Sequence, residues 1–136
     1  MNSELKLVIF EEKKELQYLL DLLDEQYNLI LKKDVLGLEK ITNEIEVAGK
    51  NIAAIEIKRR KIVSEDEFKL FVENTDDQHV KDVHRQIKNI LNNLAIQKDT
   101  NNTLIKQRLF FVNKMINVIK PSKDIGTYNS YGKVGR

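Results

Sequence analysis

The stretch LEKITNEIEVAGKNIAAIEIKRRKI, residues 38–62, decides the fold. Its Leu38, Ile41, Ile45, Ala48, Ile52, Ile55, Arg59 and Ile62 alternate spacings of three and four, with Arg59 the one polar member. That spacing puts all eight on one stripe of an α-helix. On a straight helix the stripe would drift backwards by about 20° per heptad. A left-handed supercoil about a neighbouring helix removes the drift, so residues 35–63 are predicted to be one rod of a coiled-coil-like bundle. Gly37 and Gly49 each cost about 1 kcal/mol against Ala inside a helix. They are candidate points of close approach to a neighbour.

Toward the N-terminus, the segment of about residues 3–33 repeats the pattern with Leu5, Ile9, Leu16, Leu19, Leu23 and Ile30. Glu12 and Gln26 stand where further apolar residues would complete this stripe. Ser3 is a candidate cap for its start, and Asp34 for the start of the next helix. At 1.5 Å per residue the first helix would be roughly 45 Å long. Two residues, Lys33-Asp34, separate it from the second, so the pair must fold back antiparallel.

Toward the C-terminus, Ser64-Glu65-Asp66-Glu67 reads as a capping box that opens a short helix over about 65–73. Thr75-Asp76-Asp77-Gln78 reads as a second box, opening the longest segment, about 76–120. The turn from Ala95 to Thr103 is mostly polar, but no Pro or Gly interrupts it, so one continuous helix is expected. Pro121 is expected to stop it. The Gly- and Tyr-containing residues that follow are expected to be a flexible tail. The predicted fold is all-α: an elongated antiparallel coiled-coil-like bundle of three long helices plus one short helix, residues 1–120, with the tail over 121–136.

Composition agrees and narrows the chemistry. One Pro and five Gly in 136 residues leave little turn material for an all-β fold. With no Cys there is no disulfide framework, thiolate metal site or Cys nucleophile, which fits a reducing compartment. The net charge of +2 offers no field of one sign for nucleic acid or an anionic membrane. The N-terminal residues mix acids and lysines into their apolar run, unlike a signal peptide. No window nears 18 consecutive apolar residues. The chain reads as soluble and intracellular.

Catalytic and metal-binding patterns do not emerge. His79 and His84, five residues apart, diverge by about 140° on a helix and cannot chelate one ion together. Glu11, Glu12 and Glu15 sit among Lys13 and Lys14, which describes an exposed face with offsetting charges. No phosphate loop, HExxH, GxSxG or calcium-loop pattern occurs. No cofactor is expected, and the protein is not expected to be an enzyme. The basic run Lys58-Arg59-Arg60-Lys61 wraps around its helix and is expected to be a solvated helix end, with Glu56 four residues before Arg60.

The unusual feature is apolar breadth. From Leu104 to Ile119 the apolar residues, Phe110 excepted, span about 180° of the helical wheel, where a core-facing stripe needs a little over 100°. Ile105, Leu109, Val112 and Ile116 suit an inward face, leaving Leu104, Phe111, Met115 and Val118 to face something else. The first helix likewise has a second stripe, Leu7, Tyr18, Leu22 and Leu29. Two neighbouring helices inside a bundle would fill both arcs. Alternatively part of this surface accepts an apolar partner, by helix-in-groove binding or self-association.

The C-terminal third resembles a known family. The run from Asn102-Thr103-Leu104-Ile105-Lys106-Gln107-Arg108-Leu109-Phe110-Phe111 to Asn113, then Met115 to Ile119, then Thr127-Tyr128 and Tyr131-Gly132, is similar to the FlgN family of flagellar export chaperones. Its members carry an N-x-x-L-I/L-x-Q-x-L-x-F/Y pattern near the end of the last long helix and a short tail with Tyr and Gly. The Asp34–Leu36 turn and the basic Arg59-Arg60 fit in outline. The resemblance implies a small helical protein without catalytic residues. It would be a substrate-specific cytoplasmic chaperone of flagellar type III secretion. Its clients would be the hook–filament junction proteins, hook-associated proteins one and three, bound through their amphipathic terminal helices. Leu104, Phe111, Met115 and Val118 would be apolar anchors, and Asn102, Gln107 and Arg108 would set register. Tyr128 would order on binding or contact the export machinery. The competing expectations are a structural coiled coil that mainly self-associates, as a homodimer, and a regulator acting through the same groove.

Overall fold

The computed structural model describes residues 2–119. Four helices follow one another, α1 (Asn2–Lys32), α2 (Val35–Ile62), α3 (Glu65–Asn74) and α4 (Gln78–Ile119), with no strand among the described residues. The predicted three long helices and one short one are all present. The expected stop at Pro121 and the tail over 121–136 lie outside the described residues.

Local chemistry accounts for the boundaries. α1 ends as Lys33 takes a left-handed conformation, φ 60°. The Lys33 N–H then donates to the Ile30 carbonyl at 3.2 Å and the Asp34 N–H to the Leu29 carbonyl at 3.1 Å, a Schellman closure without its usual glycine. Asp34 immediately caps α2, its carboxylate accepting from the Gly37 N–H at 2.9 Å. Ser64 caps α3 as expected, accepting from the Glu67 N–H at 3.2 Å. Two expected caps differ. Ser3 lies inside α1, whose helix already includes Asn2. α4 is opened by Asp77, whose Oδ1 accepts from the His79 and Val80 N–H groups, whereas Thr75 closes α3. Asp77 prevails because Lys6 also holds its carboxylate, at 2.6 Å. That contact and the two N–H donors keep the Asp77 carboxyl below its ordinary range.

The chain divides into two compact units, Met1–Lys98 and Asp99–Arg136. In the first, Lys58 of α2 reaches Glu11 near the start of α1 at 3.6 Å, so the two helices are antiparallel. α4 runs parallel to α1, because Phe10 meets His79 while Leu16 shares a cleft with Ile87 and Leu91. The principal core joins Leu5, Ile9, Leu16 and Leu23 of α1 to Val80, Val83, Ile87, Ile90 and Leu94 of α4, with Val63 and Phe68 closing it. A second core joins Leu22 of α1 to Ile41 and Ala48 of α2. The second stripe of α1 is thus half used: Leu22 is buried and Leu29 half-buried against α2, while Leu7 and Tyr18 stay exposed. All eight members of the α2 stripe are buried or half-buried.

Arg59 corrects the expectation of a solvated basic helix end. It is only 4% exposed. Its guanidinium hydrogen-bonds Glu56 and, at 2.9 Å, Glu65, and it lies 4.4 Å over the Phe68 ring. Its place on the buried stripe of α2 brings it inward, and there two carboxylates offset the cost of burying its charge. Its sequence neighbours Arg60 and Lys61 do stay exposed.

Candidate protein-binding face

The second unit contains the C-terminal part of α4, where the resemblance lies. The helix is unbroken through Asp99-Thr100, as expected. Asn101 is buried, and from Asn102 to Ile119 no described residue is. Ile105, Leu109 and Ile116 are half-buried, so they form the inward arc; Val112, expected with them, is 37% exposed. On the outer arc Phe111 is 63% exposed, Met115 45% and Val118 77%. These three fall within about 60° of one another on the wheel. Leu104, which the wheel places between Phe111 and Met115, is half-buried where exposure was expected. Asn102 and Gln107 are exposed, Arg108 is half-buried, and Tyr128 lies outside the described residues.

Leu104, Arg108, Phe111, Met115 and Val118 are spaced four, three, four and three. That is a heptad seam with one arginine in it, the same pattern as the buried stripe of α2. Ile119, 73% exposed, borders the seam, although the C-terminal motif does not single it out. Its place seven residues after Val112 was the available signal. Phe110, outside both arcs, is exposed, with the Lys114 ammonium 4.9 Å from its ring centre.

In the first unit a cleft of about 560 Å³ is lined by residues of all four helices. Leu16, Ile52 and Ile87 line it together with Glu12, Glu56, Arg59 and Glu65. Burial raises the Glu12 carboxyl above its ordinary range, and the facing Glu56 adds to the rise while Arg59 opposes it. Burial also lowers His84, beside Phe68 at 6.0 Å between ring centres. Arg59 itself is held charged, since its hydrogen bonds to Glu56 and Glu65 outweigh the cost of burial. Both carboxylates meet the same nitrogen, Nη2, of the seam arginine, and its Nη1 is buried without a hydrogen-bond partner. Among the described residues no three His, Asp or Glu side chains gather as a metal site.

The described residues form helices alone, and beyond Asn101 the last of them carries an apolar heptad stripe whose Phe111, Met115 and Val118 are exposed. The family model described as FlgN protein matches residues 1–136, and the chain belongs to the FlgN family. That family is one of flagellar export chaperones and not of enzymes. No curated protein and no solved structure matches the chain significantly. Among the described residues no helix is long and apolar enough to cross a membrane.

Proposed function

We propose that this protein is a cytoplasmic chaperone of flagellar type III export that binds the hook–filament junction proteins, hook-associated proteins one and three, by covering their amphipathic terminal helices. The observation that carries this reading is the uncovered seam of α4. Phe111, Met115 and Val118 form an apolar stripe on a helix that buries nothing beyond Asn101, in a chain of a chaperone family. A client helix laid along it would hide its own apolar face, which is the face by which such proteins polymerise. Leu104, Phe111, Met115 and Val118 serve as anchors, with Asn102, Gln107 and Arg108 fixing register and Tyr128 ordering on binding or meeting the export machinery. Residues 1–120 form the helical domain and 121–136 the tail in this reading. Burying three or four such side chains yields several kcal/mol at about 25 cal/mol per Å². After ordering costs, roughly micromolar to nanomolar affinity remains, which suits a carrier that must release its cargo.

Mixing the protein with a terminal helical fragment of a hook-associated protein should give a stoichiometric complex in size-exclusion chromatography. Phe111→Asp combined with Met115→Asp should abolish that complex while leaving the helical circular-dichroism signal intact. An undiminished complex would remove the seam from the site. Self-association is the competing use of the same stripe, and a parallel in-register pair would set Arg108 against Arg108. Sedimentation at increasing concentration separates the two uses: a dimer that is lost with Phe111→Asp would mean that the stripe joins two copies of this chain.

A further inference from the structure

The cleft of the first unit is lined by a hydrogen-bond donor and an acceptor that the described residues do not satisfy. Arg59 gives Nη2 to both Glu56 and Glu65, and its buried Nη1 has no acceptor. A buried N–H without an acceptor is destabilising, so a group that brings one gains affinity. Glu12 of α1 lines the same cleft and is half-buried, and among the described residues no hydrogen bond or ion pair reaches its carboxylate. The surrounding charges restrict what can answer both groups. An anion would face the carboxylates of Glu12, Glu56 and Glu65, and a cation would face Arg59 and Lys88 while leaving Nη1 unpaired. A carboxamide is neutral and carries one acceptor oxygen beside two N–H donors. The remaining lining is mostly apolar, with Leu16, Ile52, Ile87 and Leu91. It is also roomy: a Cβ added at Gly49 would meet nothing within 4 Å, and the volume of about 560 Å³ is of the size that holds small ligands.

We infer that this cleft is a binding site for an apolar group ending in a neutral carboxamide, whose carbonyl oxygen accepts from Arg59 Nη1 and whose NH2 donates to Glu12. Such a group occurs on a Gln side chain among the apolar residues of a polypeptide and on small aliphatic amides. The inference concerns the first unit alone and does not rest on the chaperone reading.

The test is NMR titration of the isotope-labelled full chain at neutral pH with three molecules that share one apolar body: isovaleramide, isovalerate and isopentylamine. Isovaleramide should shift the backbone amides of Gly49, Ile52 and Leu91 and the Arg59 Nε–H, and bind at least about threefold more tightly than either charged analogue. Gly49→Leu, which fills the open space beside α2, should abolish those shifts with the helical circular-dichroism signal unchanged. Glu12→Ala should act with opposite signs, weakening isovaleramide by about threefold and strengthening isovalerate, which a loss of structure would not do. A helical peptide with Gln flanked by Leu three residues before and four after identifies the source. Displacement of isovaleramide by this peptide, and not by its Gln→Glu counterpart, assigns the site to a polypeptide, and no displacement assigns it to a free amide. Tightest binding of a charged analogue, equal binding of all three, or no shift with any of them would overturn the inference. None of these results bears on client binding at Phe111 and Met115.

Discussion

At Gly37 a Cβ would lie 2.7 Å from Asp34 Oδ2 and 2.9 Å from Leu29 Cδ2, whereas at Gly49 one would meet nothing within 4 Å. The same substitution should therefore have opposite signs. Gly49→Ala should stabilise by about 0.5–1 kcal/mol, the helix-propensity gain. Gly37→Ala must displace the carboxylate that caps α2 and should cost about 1 kcal/mol net. Urea denaturation measures both, and a gain at Gly37 would contradict the close approach. Sequence could nominate both glycines but not separate them, because the difference lies in what the chain end of α1 places beside each. Glu12 is a second residue decided by surroundings. Its folded-state pKa is raised, so the stability its protonated form brings is fully present below the unfolded pKa and lost as pH rises through the folded value. Glu12→Gln should accordingly raise Tm at pH 7, with the advantage over the parent fading on acidification through the carboxylate range. A constant advantage at every pH would show that charge is not the cause.

Among the elements, the α1–α2 turn folds two long helices back on each other. Two residues reverse the chain between helices of 31 and 28 residues. They manage it because Lys33 adopts a positive φ and Asp34 serves both the closure of α1 and the cap of α2. A lysine pays a steric penalty in that conformation that glycine does not. Lys33→Gly should stabilise by roughly 0.5–1 kcal/mol, seen as a higher denaturation midpoint with unchanged slope. The antiparallel reversal was legible from the shortness of the link. The cap of α4 was not, since Thr75 and Asp77 are both good cap residues and the contact from Lys6, 71 positions earlier, favours Asp77. Sequence patterns rank caps locally, but a long-range ion pair settles the tie.

For the whole molecule, burial ends at Asn101 on α4 although the helix continues to Ile119. Stability and partner binding should therefore separate along this single helix. Phe111→Asp with Met115→Asp should change the free energy of unfolding by no more than about 0.5 kcal/mol, the range of surface substitutions. Val83→Asp, which puts a carboxylate into the main core, should cost more than about 4 kcal/mol or prevent folding. Hydrogen exchange should find amides near Val83 and Ile87 well protected and those beyond Asn102 weakly so, the latter slowing when a client helix binds. Strong protection beyond Asn102 in the free chain would mean that the seam is already covered.

The sequence by itself determined that the described residues are helical, where the first three helices begin and end and where the fourth begins to within two residues, and that the first two helices fold back on each other. Those properties follow from local geometry: 3.6 residues per turn, a two-residue link, and side chains that cap the backbone a turn away. It also showed that α1 and α4 each carry more apolar surface than one neighbour requires. Only tertiary structure decided how that surplus is spent, with Leu22 covered by α2 while Phe111, Met115 and Val118 stay bare. Periodicity records which side chains share a face but not how many neighbours arrive to cover it. For the same reason Arg59, written in a run of four basic residues, is buried and paired: its place on the seam outweighed its charge once Glu56, Glu65 and Phe68 came to meet it.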